Sequence, residues 1–184
     1  MRLRVILPVM LAILFALGAC GSSGPSGTPR ATTGKTPVTY EPAGAFPSKS
    51  AKMVCEKEVE DEIASALGMK ATRVTKPTWR DHVYSCSLVY PKGSVVLSTK
   101  ELVDEKSTTD YFNGYKTKLG VAQNLYGLGQ GAFIAKNNDV VVRKDYKVLL
   151  VDVQHVPQSF VPAMTRQDVA TNIAAVVMAC WVGA

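Results

Sequence analysis

The N-terminal residues place the strongest constraint on this chain. The first positions carry Arg2 and Arg4, and an apolar run follows from Val5 to Leu17, interrupted only by Pro8. The run is about 13 residues long, whereas a helix that crosses a hydrocarbon core of ~30 Å needs ~20. A basic segment before a short apolar segment is typical of a secretory signal and not of a transmembrane helix. No later stretch of the sequence is long and apolar enough to span a membrane.

A cleavage motif follows this run directly. Leu17-Gly18-Ala19-Cys20 resembles the bacterial lipobox, in which a leucine and two small residues precede a cysteine. Small residues fit the peptidase cleft, and the cysteine thiol accepts diacylglycerol before cleavage. The motif predicts residues 1–19 as a lipoprotein signal peptide and Cys20 as the lipidated N-terminus of the mature protein. The alternative is an ordinary secretory signal beside a chance cysteine.

The predicted signal and anchor also determine the expected compartment of the protein and the expected class of its partners. Buried acyl chains contribute roughly 0.8 kcal/mol per CH₂, so two or three chains hold a protein firmly at a bilayer. We therefore expect a lipid-anchored protein on the outer face of the cytoplasmic membrane. The formal charge of +6 falls to about +4 without Arg2 and Arg4. Nucleic acid is not an expected partner in this compartment, whereas another envelope protein is.

The composition changes after the predicted cleavage site. Residues 21–49 are rich in Gly, Ser, Pro and Thr and show no hydrophobic periodicity. Such a segment is typical of a flexible linker, and a coil of this length has a root-mean-square reach of about 30 Å. We predict residues 20–49 as the lipidated cysteine with its linker, and residues 50–184 as one domain.

Hydrophobic patterns in residues 50–184 predict an α+β fold. Cys55, Val59, Ile63 and Leu67 recur at helical spacing, and Gly68 ends that helix. Further helices are predicted at 104–119 and from Thr165, where Asp168 completes a motif resembling a capping box. Strands are predicted at 72–79, 82–90, 94–102, 122–126 with its continuation 132–135, 140–143 and 146–155. The prediction is an antiparallel sheet of about six strands packed by three helices, in the order α-βββ-α-βββ-α.

Three cysteines remain once Cys20 is lipidated, and export makes disulfides possible. We expect a Cys55–Cys86 bridge that ties the first helix to a nearby strand. Cys180 lies on the apolar side of the last helix, which favours a small buried hydrophobe. The alternative, a cysteine nucleophile, requires a nearby histidine, and the chain has only His82 and His155. The cysteine spacing does not fit a metal site.

The segment Gly127-Leu128-Gly129-Gln130-Gly131 invites comparison with a phosphate-binding loop. Such a loop follows a strand and begins a helix, so that the helix-terminal amides face the phosphate. Here the sequence that follows is predicted as a strand. The glycines therefore favour a bulge or a tight bend.

The order of these features resembles a family of actinobacterial envelope lipoproteins that carry a PsbP-like α+β domain of unknown function. The resemblance covers about residues 50–183 and depends on Cys55, Cys86 and the glycine segment with Phe133. It implies an antiparallel sheet packed by helices and a Cys55–Cys86 bridge. It implies no activity, and Cys180 is a departure from the pattern.

Three classes of function remain open, and the first two are not enzymatic. An anchor, a long tether and a domain without catalytic motifs favour a non-enzymatic adaptor or modulator of another cell-envelope protein. The alternative is a binder of a small apolar molecule or lipid, in a pocket formed by Tyr111, Phe112, Tyr115, Tyr126 and Phe133. Core packing against the sheet also explains the aromatic residues of the second helix. We expect no catalytic residues, no cofactor and no metal, since the sequence contains no nucleophile elbow or metal-binding helix motif. A hydrolase built on Cys180 or a carboxylate pair is a weaker third hypothesis.

Overall fold

The computed structural model describes residues 40–181, so the predicted signal peptide, Cys20 and most of the predicted linker lie outside the described residues. The described part contains four helices, namely α1 (Lys49–Met53), α2 (Lys57–Leu67), α3 (Glu105–Leu119) and α4 (Arg166–Cys180). It contains eight strands, namely β1 (Arg73–Val74), β2 (Thr78–Arg80), β3 (Val83–Tyr90), β4 (Gly93–Glu101), β5 (Val121–Leu125), β6 (Gly131–Ala135), β7 (Val140–Lys144) and β8 (Lys147–His155). None of these helices is long and apolar enough to cross a membrane.

All eight strands belong to one antiparallel sheet in the order β1-β3-β4-β8-β7-β6-β5, with β2 also paired to β3. The α+β class and the antiparallel sheet agree with the sequence prediction, but the counts differ. The strand predicted over 72–79 is two short strands, because Pro77 lies between them and cannot donate a ladder hydrogen bond. Likewise, 122–126 and 132–135 are separate strands, β5 and β6.

The helix predicted through Cys55 is also two helices. The amides of Cys55 and Glu56 bond to the carbonyls of Lys52 and Met53, which closes α1 with a turn. Cys55 lies in this turn and is joined by a disulfide to Cys86 of β3, with 6.1 Å between their Cα atoms. The break therefore places the cysteine against the sheet. Helix α2 ends at Gly68, as predicted, with a left-handed φ of 62°.

Helices α3 and α4 begin at capping boxes, in which two side chains satisfy otherwise unpaired amides. Asp104 accepts a bond of 2.7 Å from the Ser107 amide, and this bond lowers the pKa of the Asp104 carboxyl. Thr165 and Asp168 form the second box, which the sequence predicted. Both helices therefore have defined starting points.

The two faces of the sheet carry different cores. Helices α2 and α4 pack on one face, and the apolar side chains beneath them include Val59, Ile63, Leu88, Leu97, Val151 and Ile173. Helix α3 packs on the other face against β7 and β8. The buried residues there are Phe112, Phe133, Ala135, Val141 and Val148. Beyond α3 this second face continues over β3 and β4, where the alternate residues Ser85, Ser87, Ser94 and Ser98 are half-exposed.

Residues 40–48, which we call the N-terminal strap, pack on the domain before its first helix. The Ala43 amide donates to the Leu102 carbonyl at 2.9 Å, and the Ser48 amide donates to the Glu101 carboxylate at 3.0 Å. Ser48 and Glu101 are both buried. Ordered contacts therefore begin before Ser50, the residue at which the sequence analysis starts the domain.

Candidate functional site

The five aromatic residues predicted to form a pocket lie in three different environments. Phe133 of β6 is fully buried, and Phe112 of α3 is almost so. Their rings meet edge to face with centroids 5.3 Å apart. Tyr126, in the loop between β5 and β6, is 92% exposed. The five rings therefore do not line one cavity, and the two phenylalanines fill the core beneath α3.

Tyr111 and Tyr115, the remaining two, lie together on one flank of α3. They line an open groove of about 530 Å³, whose walls are Leu102, Ser107, Asp110, Tyr111, Gly114, Tyr115 and Lys118. All but Leu102 belong to α3 at spacings of three and four residues, which places them on one side of a helix. We call this feature the α3 groove.

The two tyrosines form the apolar part of the α3 groove. Their rings are 5.3 Å apart in an edge-to-face arrangement. Burial raises the pKa of the Tyr115 hydroxyl, and its hydrogen bond with Tyr111 raises it further. The ammonium of Lys100 lies 5.8 Å from the Tyr111 ring centroid, within cation–π distance. The groove thus combines two tyrosine rings with a lysine ammonium at its edge.

Gly114 opens the α3 groove in the middle of the helix. A glycine inside a helix costs about 0.5–1 kcal/mol relative to alanine. A Cβ atom added at Gly114 would meet no heavy atom within 4 Å. Packing of the domain therefore does not require glycine here. What the missing side chain provides is a close approach to the backbone of α3 from outside.

The glycine segment lies between β5 and β6 and precedes no helix, in agreement with the sequence analysis. Gly127 and Gly129 have left-handed φ values of 76° and 61°. A Cβ at Gly129 would lie 2.7 Å from the carbonyl oxygen of Arg143. The loop also borders a second, smaller depression of about 330 Å³, which Phe112 and Tyr126 line. The glycines therefore serve a tight bend and a close backbone contact.

Metal-ligating side chains do not cluster in the part of the chain that the structure describes. No group of three His, Cys, Asp or Glu side chains between residues 40 and 181 is placed to hold a metal ion. His82 follows β2 and stacks edge to face on Trp79, whereas His155 ends β8 at the opposite end of the sheet. Cys180 is half-buried against the larger core, not fully buried as the sequence analysis expects.

Sequence reasoning missed Lys100 at the edge of the groove and five of its lining residues, namely Leu102, Ser107, Asp110, Gly114 and Lys118. Gly114 itself was an available signal, because glycine is unfavourable inside a helix and this one lies between Tyr111 and Tyr115. Nothing in the sequence signals Lys100 or Leu102, because their proximity to α3 depends on where the helix crosses the sheet.

Comparisons of the chain with protein-family models, with curated proteins and with solved structures found no match.

Proposed function

We propose that this protein is a membrane-anchored extracytoplasmic lipoprotein that acts as a non-enzymatic adaptor or modulator of another cell-envelope protein. The observation that carries the proposal is the α3 groove, an open apolar depression on the surface with two tyrosine rings and a helical glycine. The lipobox at Cys20, the linker and the resemblance to envelope lipoproteins support the location.

The composition of the groove suits a peptide segment of a partner. Tyrosine supplies large contact areas and is enriched among the residues that dominate binding energy at interfaces. Ser107 and Gly114, the small residues of the groove, let a partner backbone come close to the helix. Asp110 and Lys118 add one charge of each sign at the exposed rim, which favours orientation and selectivity over raw affinity.

Because the protein is anchored in the same membrane as its partner, a weak contact at this groove is sufficient for binding. A short flexible tether holds a binding module at an effective concentration of the order of millimolar towards a partner in the same membrane. Such a partner needs no large interface, and an open groove of this size is adequate. The anchor and the groove therefore act together in this proposal.

Site-directed photo-cross-linking in the native cells tests the proposal. A photoreactive phenylalanine analogue replaces Lys118 at the groove or, as the matched control, Glu62, which is exposed on α2 across the sheet. We expect one envelope protein to be captured from position 118 and not from position 62, and the capture to be lost with Cys20→Ala. Equal capture from both positions, or capture that is unchanged by Cys20→Ala, would contradict the proposed function.

A second function at the same groove is binding of a small apolar molecule or lipid. The volume of about 530 Å³ lies within the ~300–1,000 Å³ range of small-molecule sites. Native mass spectrometry of the protein purified from its own cells distinguishes the two functions. A bound molecule that disappears with Gly114→Trp favours the small ligand, and a ligand-free protein that still cross-links from position 118 favours the adaptor.

A further inference from the structure

Three large apolar side chains of the described residues are mostly exposed. Phe46 is 81% exposed, Val103 61% and Tyr126 92%. They belong to three different segments, namely the N-terminal strap, the β4–α3 connection and the β5–β6 loop. Single exposed apolar residues are ordinary on a protein surface, so the question is whether these three share a position in the fold.

The topology brings these three side chains to one end of the sheet. In an antiparallel sheet the connections alternate between the two ends, and β4 and β5 both finish where β6 and β8 begin. Tyr126 follows β5 directly, and Val103 lies two residues after the end of β4. Phe46 is held at the same end, because the Trp79 indole of β2 donates to the Ala45 carbonyl at 3.0 Å. We call this end, with its loops, the strap end.

The chain outside the described residues also meets the domain at the strap end. Tyr40, the first described residue, packs edge to face on Tyr146 in the β7–β8 turn, with ring centroids 5.3 Å apart. The Gln130 amide contacts the Tyr40 hydroxyl at 3.4 Å. The chain therefore enters the described domain, at Tyr40, at the end that carries the exposed apolar side chains.

We infer that the strap end is a lipid-contact surface, which seats Phe46, Val103 and Tyr126 in the headgroup region of the membrane that holds the anchor. This inference rests on the lipid anchoring in the proposed function. Cys20 and Tyr40 are separated by 19 residues in the sequence. A segment of that length spans up to about 65 Å when fully extended, so it does not by itself select a face of the domain, and the exposed side chains select the orientation.

Apolar insertion, and not net charge, carries this contact. Basic residues at the strap end, such as Arg80 and Lys106, alternate with acidic ones, such as Asp81 and Asp104. Aromatic and aliphatic side chains together suit the boundary between headgroups and acyl chains, where tyrosine keeps its hydroxyl in the wet layer. At the opposite end, the β3–β4 turn presents exposed Pro91 and Lys92.

The inferred orientation has a consequence for the α3 groove. Helix α3 begins at Glu105, beside the strap end, and runs towards the opposite end of the sheet, where β5 starts. With the strap end on the lipid, the groove extends away from the bilayer and opens sideways. It then faces other proteins in the same membrane.

Fluorescence quenching by brominated lipids tests the inference on the full-length lipidated protein. The protein is reconstituted in vesicles of phosphatidylethanolamine and phosphatidylglycerol, with or without brominated acyl chains. Tyr126→Trp places a probe at the strap end, and Lys92→Trp is the matched control at the opposite end. The parent protein gives the background from Trp79 and Trp181, and flotation with the vesicles reports anchoring.

We expect the tryptophan at position 126 to lose about half of its fluorescence, because a side chain seated ~5–10 Å into the boundary meets the brominated carbons. The tryptophan at position 92 keeps its fluorescence, and adding Phe46→Asp with Val103→Asp restores the signal at position 126. If the protein floats with the vesicles but both positions give equal signals, or only position 92 is quenched, the lipid contact is refuted. The lipid anchor is not refuted by that result. A protein that does not float overturns both.

Discussion

Removal of the Cys55–Cys86 bridge is predicted to lower the stability of the domain by a large amount. The cysteines are 31 residues apart in sequence. In the chain-entropy model a closed loop of this length restricts the unfolded chain by about 3.7 kcal/mol at 25 °C. Folded domains are stable by only about 5–15 kcal/mol. The bridge thus supplies a large fraction of the free energy of unfolding.

Urea unfolding of Cys55→Ala/Cys86→Ala, followed by tryptophan fluorescence, measures this contribution. Cys86 is 3% exposed, so its shortening also leaves a small void that costs up to about 1 kcal/mol. Cys55→Ala/Cys86→Val is the matched control, because valine refills that void without a cross-link. We expect the valine variant to lose about 3–4 kcal/mol and the alanine variant about 4–5 kcal/mol.

A loss below about 1 kcal/mol in both variants would refute the reasoning, because it would mean that the bridge does not restrict the unfolded chain. A large loss in the alanine variant with near-complete recovery in the valine variant would also refute it. That result would assign the stabilisation to core packing around Cys86 and not to the cross-link.

Three further changes have defined outcomes by the same unfolding assay. Gly114→Ala should stabilise the protein by about 0.5–1 kcal/mol, because the new Cβ meets no heavy atom within 4 Å. A lower free energy of unfolding would contradict the claim that the groove is open at this position. Gly129→Ala should destabilise it by about 1–3 kcal/mol, because φ is +61° and the Cβ would clash with the Arg143 carbonyl. Burial raises the pKa of Tyr90 from 10.0 to about 12. The unfolded protein releases this proton first, so stability should fall between pH 10 and 12, and less steeply in Tyr90→Phe.

Local sequence patterns predicted the elements whose boundaries depend on neighbouring residues. The alternation of Cys86, Leu88 and Tyr90 places β3 correctly, and the following turn gives the β3–β4 hairpin. The capping pair Thr165 and Asp168 marks the start of α4. In these cases the information lies within a few residues of the element itself.

The elements that were predicted wrongly depend on contacts across the sheet. Cys55 fits the helical spacing of Val59 and Ile63, but its bond to Cys86 places it in the turn between α1 and α2. The strap contacts Glu101, a residue more than 50 positions away. Composition alone predicts that the strap is part of the linker, because the residues that the strap contacts are remote in sequence.

The candidate site was only partly predictable for a related reason. Tyr111, Phe112 and Tyr115 are near neighbours on α3, and sequence spacing cannot say which of them faces the sheet. The position of α3 over β7 and β8 buries Phe112 and leaves the two tyrosines on the flank. Phe133 alternates towards this same face of β6 and fills the core instead of a pocket.

The central claim is that an anchored partner docks in the α3 groove, and a blocking substitution tests it most directly. Gly114→Trp fills the groove from a position where an added Cβ atom meets no heavy atom within 4 Å. We predict that it abolishes photo-cross-linking from position 118 in the native cells and leaves the urea midpoint within the range of the parent protein. Undiminished capture of the same partner with the groove filled would contradict the account.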